Sequence, residues 1–289
     1  SKIAILTDSS CDIPQEMAEK YGIDIMSFHI LLDDVDYVER ESCTNTEFYD
    51  KMRLAKGVPS TAAITPIQFC EKYCQYVDEG YTDVIHVPIN KSGSSTYNNA
   101  LMAQGMLREE RPEHHMKIHL LDPHTYSMVF GWYLCEMARK LKNGAEISHV
   151  IQEFEKQMNC MEIILGPYSL KQMKKSGRIS AAAAVMGELM GVRPIITLID
   201  GKTKVESKVR GDDKVIPAMI DLCKKRTEGV EDFDYMIGHT SIPQAAELEK
   251  ACRKAFGKAP LVTFNLGGVV SANTGPDTLA LVYVGKPRD

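Results

Sequence analysis

The feature that most restricts the fold is an alternation. Short apolar runs, each followed by a helix-entry signal and a longer amphipathic stretch, repeat from the first residues onward. The segment Lys2-Ile3-Ala4-Ile5-Leu6-Thr7 has strand length and an unbroken apolar centre, the pattern of a strand buried on both faces of a parallel sheet. Asp8-Ser9-Ser10 follows it, and Pro14 then opens a helix that Gly22 stops. Ile23 to Ile30 reads as a second strand. Thr44-Asn45-Thr46-Glu47 and Thr65-Pro66-Ile67-Gln68 are capping boxes that open helices to about Ala55 and Val77. Further strands are expected at Asp83–Ile89 and Ile118–Leu121, with helices over Ser95–Arg108, Tyr126–Lys142 and Ile147–Asn159. Strands joined by helical crossovers rather than tight turns form right-handed units, so this half predicts a three-layer α/β/α arrangement around a parallel sheet.

The rhythm changes near residue 160. Met161–Leu165 is strand-like, Leu170–Lys175 a short helix, and Ser180–Met190 a small-residue helix closed by Gly191. Ile195–Ile199 and Lys204–Val209 flank Asp200-Gly201, a strong hairpin signal. Helices are expected over Asp213–Arg226 and Gln244–Phe256, and strands near Tyr235–His239, Leu261–Asn265 and Leu279–Val284. A hairpin followed by β-α-β units predicts a two-layer mixed sheet with helices on one side. The chain of 289 residues therefore divides into an α/β/α domain over 1–160 and a mixed α/β domain over 161–289.

Composition excludes several classes. Acidic residues outnumber basic ones, 39 to 34, for a net charge of −5, which argues against broad nucleic-acid or anionic-membrane contact. No run approaches the ~18–20 apolar residues of a membrane span. Eight cysteines include no Cys-x-x-Cys pair, so free, partly buried thiols are expected. With no cationic-then-apolar leader in the chain as given, a cytoplasmic location is expected. The phosphate-binding patterns G-x-x-x-x-G-K-[ST] and G-x-G-x-x-G are missing, which speaks against ATP or a dinucleotide bound in the common ways. H-E-x-x-H is missing too, and His115 and His119 enter a strand rather than share a helical face, so no metal site is expected.

Three hydroxyl-rich stretches remain. In open α/β sheets ligands bind at the carboxyl ends of strands. Asp8-Ser9-Ser10 and Asn90-Lys91-Ser92-Gly93-Ser94-Ser95-Thr96 both follow expected strands. The second leads straight into a helix, so its hydroxyls and first-turn amides either cradle an anion or merely cap the helix through Ser94 or Ser95. Pro59-Ser60-Thr61 forms a third, in a loop ahead of the Thr65 helix. Downstream, Lys174-Lys175-Ser176-Gly177-Arg178 is a basic loop before Ile179-Ser180 and four alanines. Arg178 is there either a surface charge or a group that steadies a carboxylate. Asn273 stands among Gly267, Gly268 and Gly275, either as an amide donor to an anion or as a turn cap.

Taken in order, Ile5-Leu6-Thr7-Asp8-Ser9-Ser10, Pro59-Ser60-Thr61, Ser94-Ser95-Thr96-Tyr97, Lys174-Lys175-Ser176-Gly177-Arg178-Ile179 and Thr274-Gly275-Pro276 resemble the DegV family. These are fatty-acid-binding proteins, some of which serve a bacterial fatty acid kinase. The resemblance spans nearly the whole chain and implies a two-domain DegV-like α/β fold with a long-chain fatty acid buried between the domains. It implies that Thr61 and Ser94 hold the ligand carboxylate, with Ser95 where the family has the Gly of Ser-Gly-Thr, and with Arg178 and Asn273 as a supporting network. Ala62-Ala63-Ile64 replaces the Ser-Gln-Pro of the first family loop. Asn273 stands where the family usually has a His before Thr-Gly-Pro, and an amide cannot carry a proton near neutral pH.

The expected function is therefore to bind a long-chain fatty acid and present its carboxylate to a separate fatty acid kinase, with no catalytic residue or cofactor of its own. Two alternatives stay open. One is an independent hydrolase or transferase using Ser94 or Asp8, although no G-x-S-x-G elbow supports it. The other is a binding module for another small carboxylate or lipid.

Overall fold

The computed structural model describes residues 1–171, 173 and 191–288. The alternation produces the expected parallel sheet. Its strands are β1 (Ile3–Asp8), β2 (Ile23–Met26), β6 (Asp83–Val87) and β7 (Lys117–Leu120), in the order β2-β1-β6-β7 with every pairing parallel. Leu6, Val84, Ile85 and Val87 are fully buried, as strands covered on both faces require. Helices α1 (Gln15–Tyr21), α3 (Pro66–Asp78), α4 (Thr96–Glu110), α5 (Met128–Lys142) and α6 (Ile147–Met158) connect or follow these strands. The α3 capping box is formed: Thr65 Oγ1 accepts from the Gln68 amide at 3.2 Å, and Gln68 Oε1 accepts from the Thr65 amide at 2.9 Å.

The stretch 23–30, expected as one strand, is two. After β2 the chain leaves the sheet, and β3 (His29–Leu32), β4 (Val35–Val38) and β5 (Ser60–Ala62) make a separate sheet of order β4-β3-β5. The turn between β3 and β4 is Asp33-Asp34, with φ of 47° and 63°. Aspartate tolerates the left-handed region better than most residues, so Asp-Asp serves here as a hairpin signal without glycine.

Two compact units emerge, and the single cut expected at residue 160 does not describe them. One comprises Ser1–His29 and Thr61–Glu155; the other comprises Ile30–Ser60 and Lys156–Asp289. The excursion 30–60 groups with the C-terminal stretch because helix α2 (Asn45–Leu54) is bonded to it. Tyr49 donates its hydroxyl to the carbonyl of Leu266, and Arg53 donates to the Pro276 carbonyl at 2.7 Å and to Asp277 at 3.1 Å. Ile30 and Phe48 pack so closely on Gly268 that a Cβ there would lie 2.7 Å from Ile30 Cδ1.

The second unit carries a six-stranded sheet of β8 (Met161–Pro167), β9 (Val192–Ile199), β10 (Lys202–Arg210), β11 (Tyr235–His239), β12 (Thr263–Asn265) and β13 (Thr278–Val284). Its order is β10-β9-β8-β13-β11-β12, antiparallel except for the β11–β12 pair. Asp200-Gly201 forms the β9–β10 hairpin with positive φ at both residues, as the dipeptide predicts. Helices α7 (Val215–Arg226) and α8 (Gln244–Phe256) pack on this sheet through Val215, Met219, Leu248 and Cys252, against Ile164, Ile195 and Leu281. The architecture is thus α/β with a parallel N-terminal sheet and a mixed C-terminal sheet. No helix among the described residues is long and apolar enough to cross a membrane.

Tyr49→Phe removes the hydroxyl that ties α2 to the Leu266 carbonyl and leaves that buried acceptor unpaired. We expect a loss of about 1–3 kcal/mol, read as a lower urea midpoint at unchanged slope. An unchanged midpoint would show that this bond does not anchor the excursion.

Candidate functional site

The carboxyl ends of β1, β6 and β7 bring three loops of the first unit together, and their hydroxyls divide into two groups. Those of the first loop are consumed by the fold. Asp8, fully buried at the end of β1, accepts from the Ser10 amide at 3.0 Å, from the Ser10 hydroxyl, and from the Ile89 amide at 2.8 Å. Ser9 Oγ accepts from the Phe28 amide at 2.9 Å. Ser127 donates its amide to the Ser10 carbonyl and its hydroxyl to Asp12. Burial pushes the Asp8 carboxyl up to about 6, although the bonds from Ser10 and Ile89 pull the other way. Asp8 and its neighbours therefore lash strand ends together. As a nucleophile Asp8 is enclosed, with both oxygens engaged.

The second loop is more open. Asn90 bridges it: its side-chain oxygen accepts from the Ser92 amide at 3.3 Å, and its Nδ2 donates to the Tyr126 hydroxyl at 3.1 Å. The Tyr126 hydroxyl lies so close over Gly93 that a Cβ there would collide with it. Ser94 caps the helix, accepting from the Thr96 amide at 3.2 Å, and its hydroxyl lies 2.8 Å from Thr96 Oγ1. Ser95 is exposed, occupies the N-cap position of α4 and makes no side-chain cap bond. The amides of Tyr97 and Asn98 have no acceptor among the described residues, so the positive end of a four-turn helix faces outward beside Ser94 and Ser95. Ser94 thus takes the Thr96 amide as a cap does, while the Tyr97 and Asn98 amides have no acceptor among the described residues.

Thr61, expected in a loop, lies in strand β5, half-buried, and its hydroxyl makes no hydrogen bond among the described residues. The segment after it is fixed to the start of α4, because Asn99 Nδ2 donates to the Ile64 carbonyl at 2.8 Å. The chain three residues after Thr61 is therefore bonded to the helix that the Ser94–Ser95 turn opens. Asn273 belongs to the second unit, in α9 (Gly268–Thr274), where its Nδ2 donates to the Val269 carbonyl one turn back at 3.2 Å. Arg178, the Lys174–Ile179 motif and the expected helix over 180–190 lie outside the described residues.

Sequence reasoning missed Tyr126 and Asn99. Tyr126 was expected inside a helix, but α5 begins at Met128 and Tyr126 stays in the loop after β7. Ser127, at φ 63°, breaks the helix pattern there. Also missed was His86, fully buried within β6, where Nδ1 lies 2.6 Å from the Tyr73 hydroxyl and Nε2 has no partner among the described residues. Burial lowers its pKa to about 3, so it is neutral at physiological pH. Among the described residues no group of three His, Cys, Asp or Glu side chains could hold a metal. From Ser94 to Asn98 the loop and helix start offer uncharged donors, with the Lys91 ammonium 5.0 Å from the Tyr97 ring centroid beside them, which suits a carboxylate or another small anion.

Comparison with known proteins agrees over the full length. Residues 2–286 match the family model described as "DegV: Uncharacterised protein, DegV family". A DegV domain-containing protein of Clostridium perfringens is 28% identical over 287 residues, covering 98% of each chain. A stearic-acid-binding protein from Eubacterium ventriosum superposes with a TM-score of 0.89 at 23% identity, covering 98% of both chains. A Thermotoga maritima protein whose structure revealed a fatty acid binding function superposes at 0.81 with 25% identity, covering 99% of both.

Because the folded chain retains a proton on Asp8 up to about pH 6 and the unfolded chain releases it near 3.8, Asp8 stabilises the fold at acid pH. That contribution is lost as pH rises from about 4 to about 6, on the order of 3 kcal/mol in all. Asp8→Asn removes it, so the stability of the parent relative to the variant should fall across this range in urea titrations. A pH-independent difference would refute the assignment.

Proposed function

Because the chain belongs to the DegV family, we propose that it binds a long-chain fatty acid, with the carboxylate held by Thr61, Ser94 and Ser95, and presents that carboxylate to a separate fatty acid kinase. The observation that carries this reading is a set of neutral donors: at the start of α4 the Ser94 and Ser95 hydroxyls and the Tyr97 and Asn98 amides, and in β5 the Thr61 hydroxyl, the two amides and the Thr61 hydroxyl having no partner among the described residues. Relatives of the same fold that bind stearic acid or other fatty acids support it.

The physics is asymmetric. An acyl tail of about 14 methylenes contributes on the order of 11 kcal/mol on leaving water, before ordering costs. The headgroup then needs only a few donors to fix its orientation. Hydroxyls and amides do this without neutralising the carboxylate, so its oxygen stays available to a phosphoryl donor. Nucleotide and metal come with the partner, in keeping with the missing phosphate-loop patterns. Arg178 belongs to this proposal as a second carboxylate-steadying group. Asn273 contributes little to binding, since its amide is engaged within its own helix. Because it also carries no proton, its effect falls on the transfer step.

Extraction of the purified protein followed by mass spectrometry should recover a long-chain fatty acid, and delipidated protein should take up oleate. Thr61→Val combined with Ser94→Ala should weaken oleate binding by on the order of 10- to 100-fold, the loss of two charge-assisted hydrogen bonds. Lipid-free protein that refuses oleate would sink the reading, and unchanged affinity in the double variant would remove those two residues from the site. With a fatty acid kinase subunit and ATP added, acyl-phosphate formation tests presentation, and Asn273→His should increase it.

A further inference from the structure

Outside the loops described above, the first unit has a groove of about 660 Å³ between α3 and α4. Its floor is apolar. Ile67, Cys70 and Cys74 recur at i, i+3 and i+7 on α3, and Met106 lines the groove from α4. Ile67 is 61% exposed, which is much for a side chain of its size.

The rim is acidic. Glu71, Asp78, Glu79 and Glu110 line it against a single cation, Arg111. That cation is already committed, donating twice to Asp78 at 2.9 Å. Glu71 and Glu110 have no cationic partner among the described residues, yet both sit close enough to Cys70 to add to its raised pKa, which burial and then Cys74 dominate. Two helices therefore present an exposed apolar stripe beside two carboxylates, Glu71 and Glu110, that no cation among the described residues pairs.

We propose that this groove docks a cationic amphipathic helix of a partner protein, which lays its apolar face on Ile67, Cys74 and Met106 and pairs lysine or arginine with Glu71 and Glu110. The shape fits that occupant, because α3 alone offers a trough about 20 Å long, and helix-in-groove recognition uses anchors at this spacing. The charge selects its sign. It also disfavours a second copy of this chain, since a two-fold contact would set the same carboxylates against each other.

The test uses the full chain and a fluorescein-labelled helical peptide of about 14 leucine and lysine residues, with its leucine–glutamate counterpart as the control. Fluorescence anisotropy should show saturable binding, about tenfold or more tighter for the lysine peptide and weakened by added salt. Glu71→Lys with Glu110→Lys should lower affinity by about tenfold or more, and Glu71→Gln with Glu110→Gln should act in the same direction should the reversal impair folding. Bound peptide should also protect the partly exposed Cys74 from iodoacetamide. The proposal is overturned by absence of saturable binding, by equal affinity in variants that melt like the parent, by unaltered Cys74 alkylation, or by a concentration-dependent dimer that protects Cys74 without peptide. Oleate content is read in parallel, and should be the same in all these variants, which keeps the result separate from the lipid site.

Discussion

One buried carboxylate sets the geometry on which the candidate site depends. Asp8 ends β1 and accepts from the amide of Ile89, two residues beyond β6, while holding the turn at Ser10. Adjacent parallel strands share a ladder along their length, but nothing in that ladder fixes the loops beyond their ends. A buried acceptor with several donors does so, because each donor would otherwise lie unpaired away from water. The Asn90–Thr96 loop therefore leaves β6 in a defined direction, and the start of α4 follows from it. The raised pKa of Asp8 is the cost of placing a carboxyl there.

The same logic explains why one hydroxyl loop is structural and the other open. Ser9, Ser10 and Asp12 are buried, and their hydroxyls and carboxylate bond to the Phe28 amide, Asp8 and Ser127. Ser94 and Ser95 sit at the mouth of a helix whose Tyr97 and Asn98 amides lack acceptors among the described residues. Residue type does not separate these cases, since both loops are runs of serine after a strand. Burial does, and burial is decided by what the neighbouring loops cover. Tyr126 over Gly93 illustrates this, because the glycine leaves room for a hydroxyl that comes from the loop after β7.

The excursion over 30–60 shows a different limit of sequence reading. Its capping box at Thr44 and the turn at Asp33-Asp34 are local and leave marks in the sequence. Its allegiance to the second unit rests on Tyr49, Arg53 and Phe48 meeting residues more than two hundred positions away. A tyrosine on an amphipathic helix carries no mark that its hydroxyl will find the Leu266 carbonyl. A chain cut drawn from the change of strand rhythm therefore misses a segment that returns.

Periodicity, helix caps and the Asp200-Gly201 turn determined most elements of the parallel and mixed sheets, and an ordered set of motifs determined the family, because these rest on near neighbours or on motif order; the β4-β3-β5 sheet and the Gly268–Thr274 helix left no such mark. Thr61 stood out only through that motif set, and Ser94 also through its place before a helix. The tertiary structure decided that Thr61 lies in a strand, that Asn99 of α4 bonds the Ile64 carbonyl just after that strand, that Asp8 is enclosed, and that Asn273 bonds within its own helix. These outcomes turn on which polar groups lose water and which partners replace it, and that depends on packing between segments far apart in the chain.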